Sequence, residues 1–340
     1  MSDTGETEVM PRNDQQCVGL DIGTSRIVVA RSAEKESQCE AQLNAFITLP
    51  WSKLAAQLLT GQNVFHEVHE GEIVVAGNDA EKFAEVFHVE TRRPMLDGML
   101  NPREPHSLVV IRRIVSRLLG KPPADGQKVF FSVPAPDAVN GGNLAYHERS
   151  CREVLAELGY QATSINEGLA VVFAELESTN YTGIGVSCGS GMCNVCLSVL
   201  SVPVISFSLP KAGDFIDQRA AGATGEISHR IRVRKEHSFT LNGFGGDLVQ
   251  NALTVYYEDV VHSLLEALRQ NLSAAQRLPR LDSPIPLVLS GGTVMPRGFF
   301  EFFRKALSKC DLPVKLSEVR VSAEPLYSTA RGALMAATVS

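Results

Sequence analysis

Residues 17–30 constrain the fold more than any other stretch of the chain. Val18, Leu20 and Ile22 lead into a turn, and Ile27, Val28 and Val29 lead out of it. This pattern predicts a β-hairpin whose tip is Gly23-Thr24-Ser25, with Asp21 just before it. A glycine lets the backbone approach a ligand, and Thr24 and Ser25 add hydroxyls beside backbone N–H groups. Such a tip suits a phosphate, and Asp21 is placed to hold a magnesium ion through water. Taken alone, the motif also closes ordinary hairpins.

The pattern returns later in the chain. A strand at 183–186 enters the turn Gly189-Ser190-Gly191, and a second strand follows over 194–200. A third strand over 202–209 comes next. Around these two hairpins, apolar periodicity predicts strands at 72–76, 128–133, 162–165, 286–289 and 314–316. Helices are predicted at 77–87, 105–119, 147–158, 167–176, 214–221, 248–271, 297–307 and 327–337, and the basic stretch 224–235 is read as a further helix. Two alternating β/α halves, each opened by a small-residue hairpin, predict a cleft in which both tips grip one polyphosphate. The Gly291-Gly292 turn would admit the flat nucleoside part of the same ligand.

Composition narrows the function classes. The chain has 340 residues, 44% hydrophobic and 21% charged, which suffices for two domains with real cores. A net charge of -6 without a long basic run disfavours a nucleic-acid partner. The cluster Arg230, Arg232, Arg234 and Lys235 reads as a solvated charged face. No apolar run reaches the length of a membrane span. Residues 1–16 are polar and acidic, and are read as a disordered tail with neither a leader nor an amphipathic anchor. Seven cysteines, an odd number, fit reduced thiols in a cytoplasmic protein. Cys188, Cys193 and Cys196 lack a second cluster at zinc spacing and are read as buried structural thiols. Phe299, Phe300, Phe302 and Phe303 are expected to divide into a core pair and a partly buried pair.

The ordered motifs resemble the actin and sugar-kinase superfamily, and within it the bacterial actins of the MreB, MamK and ParM kind. Asp21-Ile22-Gly23-Thr24-Ser25 resembles the first phosphate loop. Arg93-Pro94-Met95-Leu96-Asp97-Gly98 is similar to a segment typical of MreB, and Val133-Pro134 to a strand end of the family. Ile165-Asn166-Glu167-Gly168-Leu169-Ala170 resembles the first connecting helix, and Glu324-Pro325-Leu326 with Ala330-Arg331-Gly332-Ala333 the second. Ala212-Gly213-Asp214-Phe215-Ile216-Asp217 and Ser290-Gly291-Gly292-Thr293 resemble the ribose and adenosine motifs. The resemblance implies an α/β fold of two similar, ribonuclease H-like halves around a nucleotide cleft. It places domain I at 17–166 with a small subdomain at about 35–95, and domain II at 167–340 with a reduced one at about 218–247. It implies ATP and Mg2+ as ligands, with Asp21 at the metal and Glu167 orienting the attacking water. Gly23, Thr24, Ser25, Gly189, Ser190 and Gly191 would hold phosphates, and Gly213 and Asp214 would border the ribose. Gly291, Gly292 and Thr293 would pack on adenosine, with Glu226 and Arg232 on the other side of the base.

Two departures stand out. The family's second phosphate loop carries an aspartate where this chain has Ser187, and a threonine where it has Met192. Loss of such a charge-stabilising group costs roughly two to three orders of magnitude in rate. The stretch between Asp217 and the helix near Leu248 is also short, which predicts a subdomain reduced to a helix and one or two strands. The leading expectation is a cytoplasmic protein that assembles with itself into filaments and hydrolyses ATP slowly. The alternatives are a non-hydrolysing nucleotide-binding scaffold or adaptor, a sugar or acetate kinase, and a truncated relative of the heat-shock chaperone ATPase.

Overall fold

In this computed structural model, residues 17–33, 37–136, 141–275 and 283–339 are described; the tail 1–16 lies outside them. The first hairpin forms as its pattern dictates. β1 (Val18–Ile22) pairs antiparallel with β2 (Arg26–Arg31), and β3 (Gln38–Leu43) adds beside it. The chain then builds a small layer from β4 (Phe46–Pro50), α1 (Lys53–Gly61), β5 (His66–His69), β6 (Glu72–Ala76) and α2 (Asn78–Phe87). A short hairpin, β7 (Met95–Leu96) with β8 (Met99–Leu100), returns it to the main body. Then follow α3 (Ser107–Leu119), β9 (Gln127–Val133), α4 (Gly141–Glu157) and β10 (Tyr160–Asn166).

The second half opens with α5 (Glu167–Glu175) and the strands β11 (Gly183–Cys188), β12 (Cys193–Val199) and β13 (Val202–Leu209). It continues through α6 (Gly213–Thr224), α7 (Ser228–His237), the long α8 (Leu248–Ala274), β14 (Ile285–Ser290), α9 (Phe299–Leu307), β15 (Leu316–Val321) and α10 (Ser328–Val339). The two five-stranded sheets run β3-β2-β1-β9-β10 and β13-β12-β11-β14-β15. In both, three antiparallel strands are followed by two parallel ones. The repeat expected from the two hairpin tips therefore extends to whole sheets.

Each sheet has one face on its own half's helices. Ile111, Val115 and Leu118 of α3 cover the first sheet, and Leu253, Tyr257 and Val261 of α8 cover the second. Phe299 and Phe303 join that second core, while Phe300 and Phe302 are partly buried against it. The opposite faces are covered in exchange. α5, which follows the last strand of the first half, lays Val171 and Val172 on Val288 of the second sheet. α10, which follows the last strand of the second half, lays Ala330 and Leu334 on Val28 and Ala30 of the first.

Glycines make this exchange possible. A Cβ built at Gly19 of β1 would run into the backbone of Ala330 and Leu334, and one at Gly185 of β11 into that of Gly168 and Val172. Where α5 and α10 cross, a Cβ at Gly332 would overlap the carbonyl of Ala170.

Some elements differ from the sequence reading. β3, β4, α1 and β5 fall where no element was read, because β3 alternates partly buried and exposed residues and α1 turns Leu54 and Leu58 outward. The helix read over 224–235 forms but starts later, because the helix before it runs on to Thr224. α6 ends at Gly225, whose φ of +76° suits the left-handed C-cap, and α7 starts afresh at Ser228. Between α7 and α8 the expected strands do not form among the described residues; an isolated bridge joins Thr240 to Arg297.

Gly332→Val is expected to lower stability by about 1–3 kcal/mol or more in chemical denaturation, because neither backbone at the crossing can retreat. Gly222, on the exposed side of α6 with open space around its Cα, is the control. Gly222→Ala is expected to raise stability by roughly 0.5–1 kcal/mol through helix propensity.

Candidate functional site

The two hairpin tips meet at a cavity of about 730 Å³ between the halves. They are built alike. Gly23 N–H closes the first turn on Arg26 O (3.0 Å), and Gly189 N–H closes the second on Met192 O (2.9 Å). The donor of Gly23 is thus spent within its own turn, which leaves Thr24 and Ser25 as that tip's candidate positions for a ligand. Thr24 is buried, and its Oγ1 accepts from Gly98 N–H at 3.1 Å. Ser190 Oγ is buried at the cavity wall with no hydrogen-bond partner among the described residues. An orphaned hydroxyl in a glycine cradle fits an oxyanion.

Two carboxylates stand at the floor. Asp21 Oδ1 accepts from Ser132 Oγ at 2.6 Å, and Ser132 Oγ in turn accepts from Ile22 N–H at 3.0 Å. Burial pushes the Asp21 carboxyl up to about 6 against the pull of that hydrogen bond. Glu167 is the first residue of α5, behind the N-cap Asn166, whose Oδ1 accepts from Leu169 N–H at 3.2 Å. Its carboxyl is pushed up to about 8, first by burial and then by the charge of Asp21, while the hydrogen bond from Ser187 acts the other way. Ser187 Oγ donates to Glu167 Oε2 at 3.0 Å. Two acids held together out of water are a poor arrangement unless protons or a cation offset them. Oxygen donors of this kind suit a hard divalent ion such as magnesium.

The other end of the cavity is lined by the Gly291-Gly292 turn and by a mixture of apolar and polar side chains. Gly291 (φ +94°) is pressed so close to Cys188 that no side chain would fit. Thr293 Oγ1 donates to Gly189 O at 2.6 Å, tying this turn to the second tip. Lys235 lies opposite, buried, with its ammonium 2.8 Å from Asp217 Oδ1 and 2.9 Å from Gly213 O. Glu236, Phe239 and Tyr257 complete that wall.

The structure brings together Asp21, Gly23, Thr24, Ser25, Glu167, Gly189, Ser190, Gly191, Gly213, Gly291, Gly292 and Thr293 around this cavity. Asp214, Glu226 and Arg232 are outside its lining. Asp214 receives Arg93 Nη1 at 2.9 and 3.1 Å. Glu226 is exposed beside Arg230 at 3.6 Å, and Arg232 reaches Glu81 at 3.6 Å. Sequence reasoning missed Ser132 and Lys235. Lys235 was grouped with a solvated basic face, yet it sits four residues after Ile231, and both are buried on the same side of α7. For Ser132, an isolated hydroxyl in an apolar strand carries no pattern to find it by. Cys188, Cys193 and Cys196 are buried in β11 and β12, and none of the seven cysteines forms a disulfide. No helix among the described residues is long and apolar enough to cross a membrane.

Comparison with known proteins gives three results. The volactin family profile matches residues 17–337. A MamK-like protein of Paramagnetospirillum magneticum is 23% identical over 354 residues, spanning 95% of each chain. Among solved structures, a MamK double helical filament superposes with a TM-score of 0.71 at 19% identity, covering 94% of this chain and 98% of that one. A non-polymerising MamK mutant bound to AMPPNP gives 0.58 at 19% identity over the same shares. The ethanolamine utilization protein EutJ of Carboxydothermus hydrogenoformans gives 0.56 at 18% identity, covering 94% and 89%.

The carboxylates predict a pH dependence. Asp21 and Glu167 rise in the folded state from 3.8 and 4.5 to about 6 and about 8, so the folded protein binds more protons than the unfolded chain in between. Their contribution to stability is present below the unfolded values and lost as pH rises through the folded ones. Buried Asp217, raised to about 6, acts in the same direction. The melting temperature of the ligand-free protein is expected to fall between pH 5 and 8.5 in scanning fluorimetry. Glu167→Gln is expected to flatten the upper part of that curve; an unchanged slope there would show that Glu167 does not titrate in this window.

Proposed function

The chain belongs to the volactin family, and on that premise we propose that it is an actin-like filament protein whose cleft takes ATP with magnesium. The observation that carries this reading is the pair of like-built hairpin tips facing one cavity with two proton-hungry carboxylates at its floor. The hydroxyls and backbone donors of Thr24, Ser25 and Ser190 hold the phosphates. Asp21, aimed by Ser132, holds the metal. Bound there, magnesium supplies the charge that neutralises neighbouring phosphate oxygens. Lys235, fixed by Asp217 and Gly213 O, faces the sugar end, and Gly291, Gly292 and Thr293 lie under the base.

Glu167 accepts a hydrogen bond at the floor and orients the attacking water, with Ser187 pinning its Oε2. Its rigidity comes from α5, whose first turn it begins. Hydrolysis is slow in this reading because Ser187 stands in β11 where Asp21 stands in β1, so the second half contributes no acid. Assembly follows a head-to-tail contact that repeats without closing. The similarity to a MamK filament over nearly the whole chain supports self-association as its mode of action. ATP binding closes the cleft and favours assembly; hydrolysis favours release. Cysteines without disulfides accord with a cytoplasmic setting.

A second reading, a nucleotide-binding scaffold that neither hydrolyses nor polymerises, draws on Ser187 and Met192 in the second loop. Sedimentation and negative-stain images with ATP and magnesium separate the two. Pelleted filaments are expected with ATP; monomers at high concentration with every nucleotide favour the scaffold. Ser187→Asp is expected to raise phosphate release by roughly ten-fold or more. No gain would mean that Ser187 is not the missing acid.

A further inference from the structure

The segment from Arg93 to Gly98 belongs to the first half but grips the second. Asp97 and Gly98 form the two-residue tip of the β7–β8 hairpin, with φ of +49° and +74°. Gly98 N–H donates to Thr24 Oγ1 at 3.1 Å, which fastens this tip to the first phosphate loop. Its other side lies on the second loop. Met192 Sδ is 2.9 Å from where a Gly98 Cβ would stand, and a Cβ at Gly191 would overlap Gly98 N–H and crowd Thr24 Oγ1. At the base of the same hairpin, Arg93 Nη1 bonds both oxygens of Asp214. Asp214 N–H in turn donates to Ser190 O at 2.7 Å. One short hairpin therefore engages both loops and the first turn of α6, to which the second loop is tied.

The contact is short and largely shielded from solvent. The Arg93 and Asp214 side chains are only 18% and 17% exposed. Among the described residues, two other ion pairs cross between the halves and are weaker by geometry: Arg26–Glu236 at 3.9 Å and Arg232–Glu81 at 3.6 Å, each with a more exposed partner. Met192 is itself buried, and its flexible thioether fills the gap above the glycine tip. A threonine there is too short to reach as far.

We propose that Arg93, Gly98 and Met192 form a strap that holds the two phosphate loops in register across the cleft and sets the rate at which bound nucleotide leaves. The identity of the ligand rests on the function proposed above; the strap does not. Removing Arg93 leaves a half-buried carboxylate without its cation, so the loops should part more often.

Two measurements test this. In hydrogen exchange of ligand-free protein, Arg93→Ala is expected to speed exchange of the Gly98 and Asp214 amides by roughly ten-fold, as loss of a charge-assisted hydrogen bond implies. In stopped flow with magnesium, a fluorescent ATP analogue chased by unlabelled ATP is expected to leave faster by a similar factor. Met192→Thr should act in the same direction with a smaller effect, and Arg93→Lys should restore part of the wild-type behaviour. Should Arg93→Ala fail to fold, those two variants decide the matter. Wild-type exchange at Gly98 and Asp214 in the variants overturns the strap. Faster exchange with unchanged release overturns its control of the ligand. A wild-type protein that binds no analogue overturns the nucleotide reading, while the exchange data still judge the strap.

Discussion

The architecture depends on the close crossing of α5 and α10. Each helix continues from one half and covers the sheet of the other, so the two halves are interlocked rather than merely adjacent. The crossing is possible because Gly332 has no side chain to hold the Ala170 carbonyl away. Gly19 and Gly185 repeat the solution where each helix lies on its sheet. Backbone against backbone leaves no soft side chain to absorb displacement, and packed interiors transmit strain rather than dissipating it. Glu167 begins one of these two helices, so the position of its carboxyl is governed by a steric contact a turn further along.

The internal repeat also explains the asymmetry of the site. In the first half, Ser132 sits beside Asp21 and orients it. In the second half, Ser290 is the registered neighbour of Ser187, and its hydroxyl donates instead to Pro325 O at 2.9 Å. A serine that serves an acid in one half is structural in the other, where no acid remains. Ser187 has turned to Glu167. The floor of the cleft therefore draws its carboxyls from Asp21 and Glu167, while the second hairpin contributes only the neutral hydroxyl of Ser187.

Much of this was legible in the sequence because it rests on local chemistry. The tips at Gly23 and Gly189 announced themselves by apolar strands on either side of small residues. Gly159, with φ of +93°, marked the end of α4 as expected. The reading was silent over β3 to β5, where strands at an edge or in a thin layer have no continuous apolar run and α1 shows leucines to solvent. Within the site, the glycines and Asp21 were found by pattern. Lys235 was not, since its burial depends on Asp217 in another helix and on the carbonyl of Gly213. Asp214 was placed near the sugar by resemblance, but its carboxylate is engaged by an arginine more than a hundred residues earlier. Pairings of that kind are set by tertiary structure and leave no trace in spacing.

The exchange of covering helices also fixes an order of events during synthesis. β1 is made roughly three hundred residues before the twelve-residue α10, the helix that shields one face of its sheet. Until α10 has been made, Val28 and Ala30 lack the helix they lie against, and the nascent first half presents a sticky apolar sheet. Contacts so distant in sequence form slowly and leave intermediates prone to aggregate. Yield of this protein should therefore be governed by what shelters that surface while the chain is still growing.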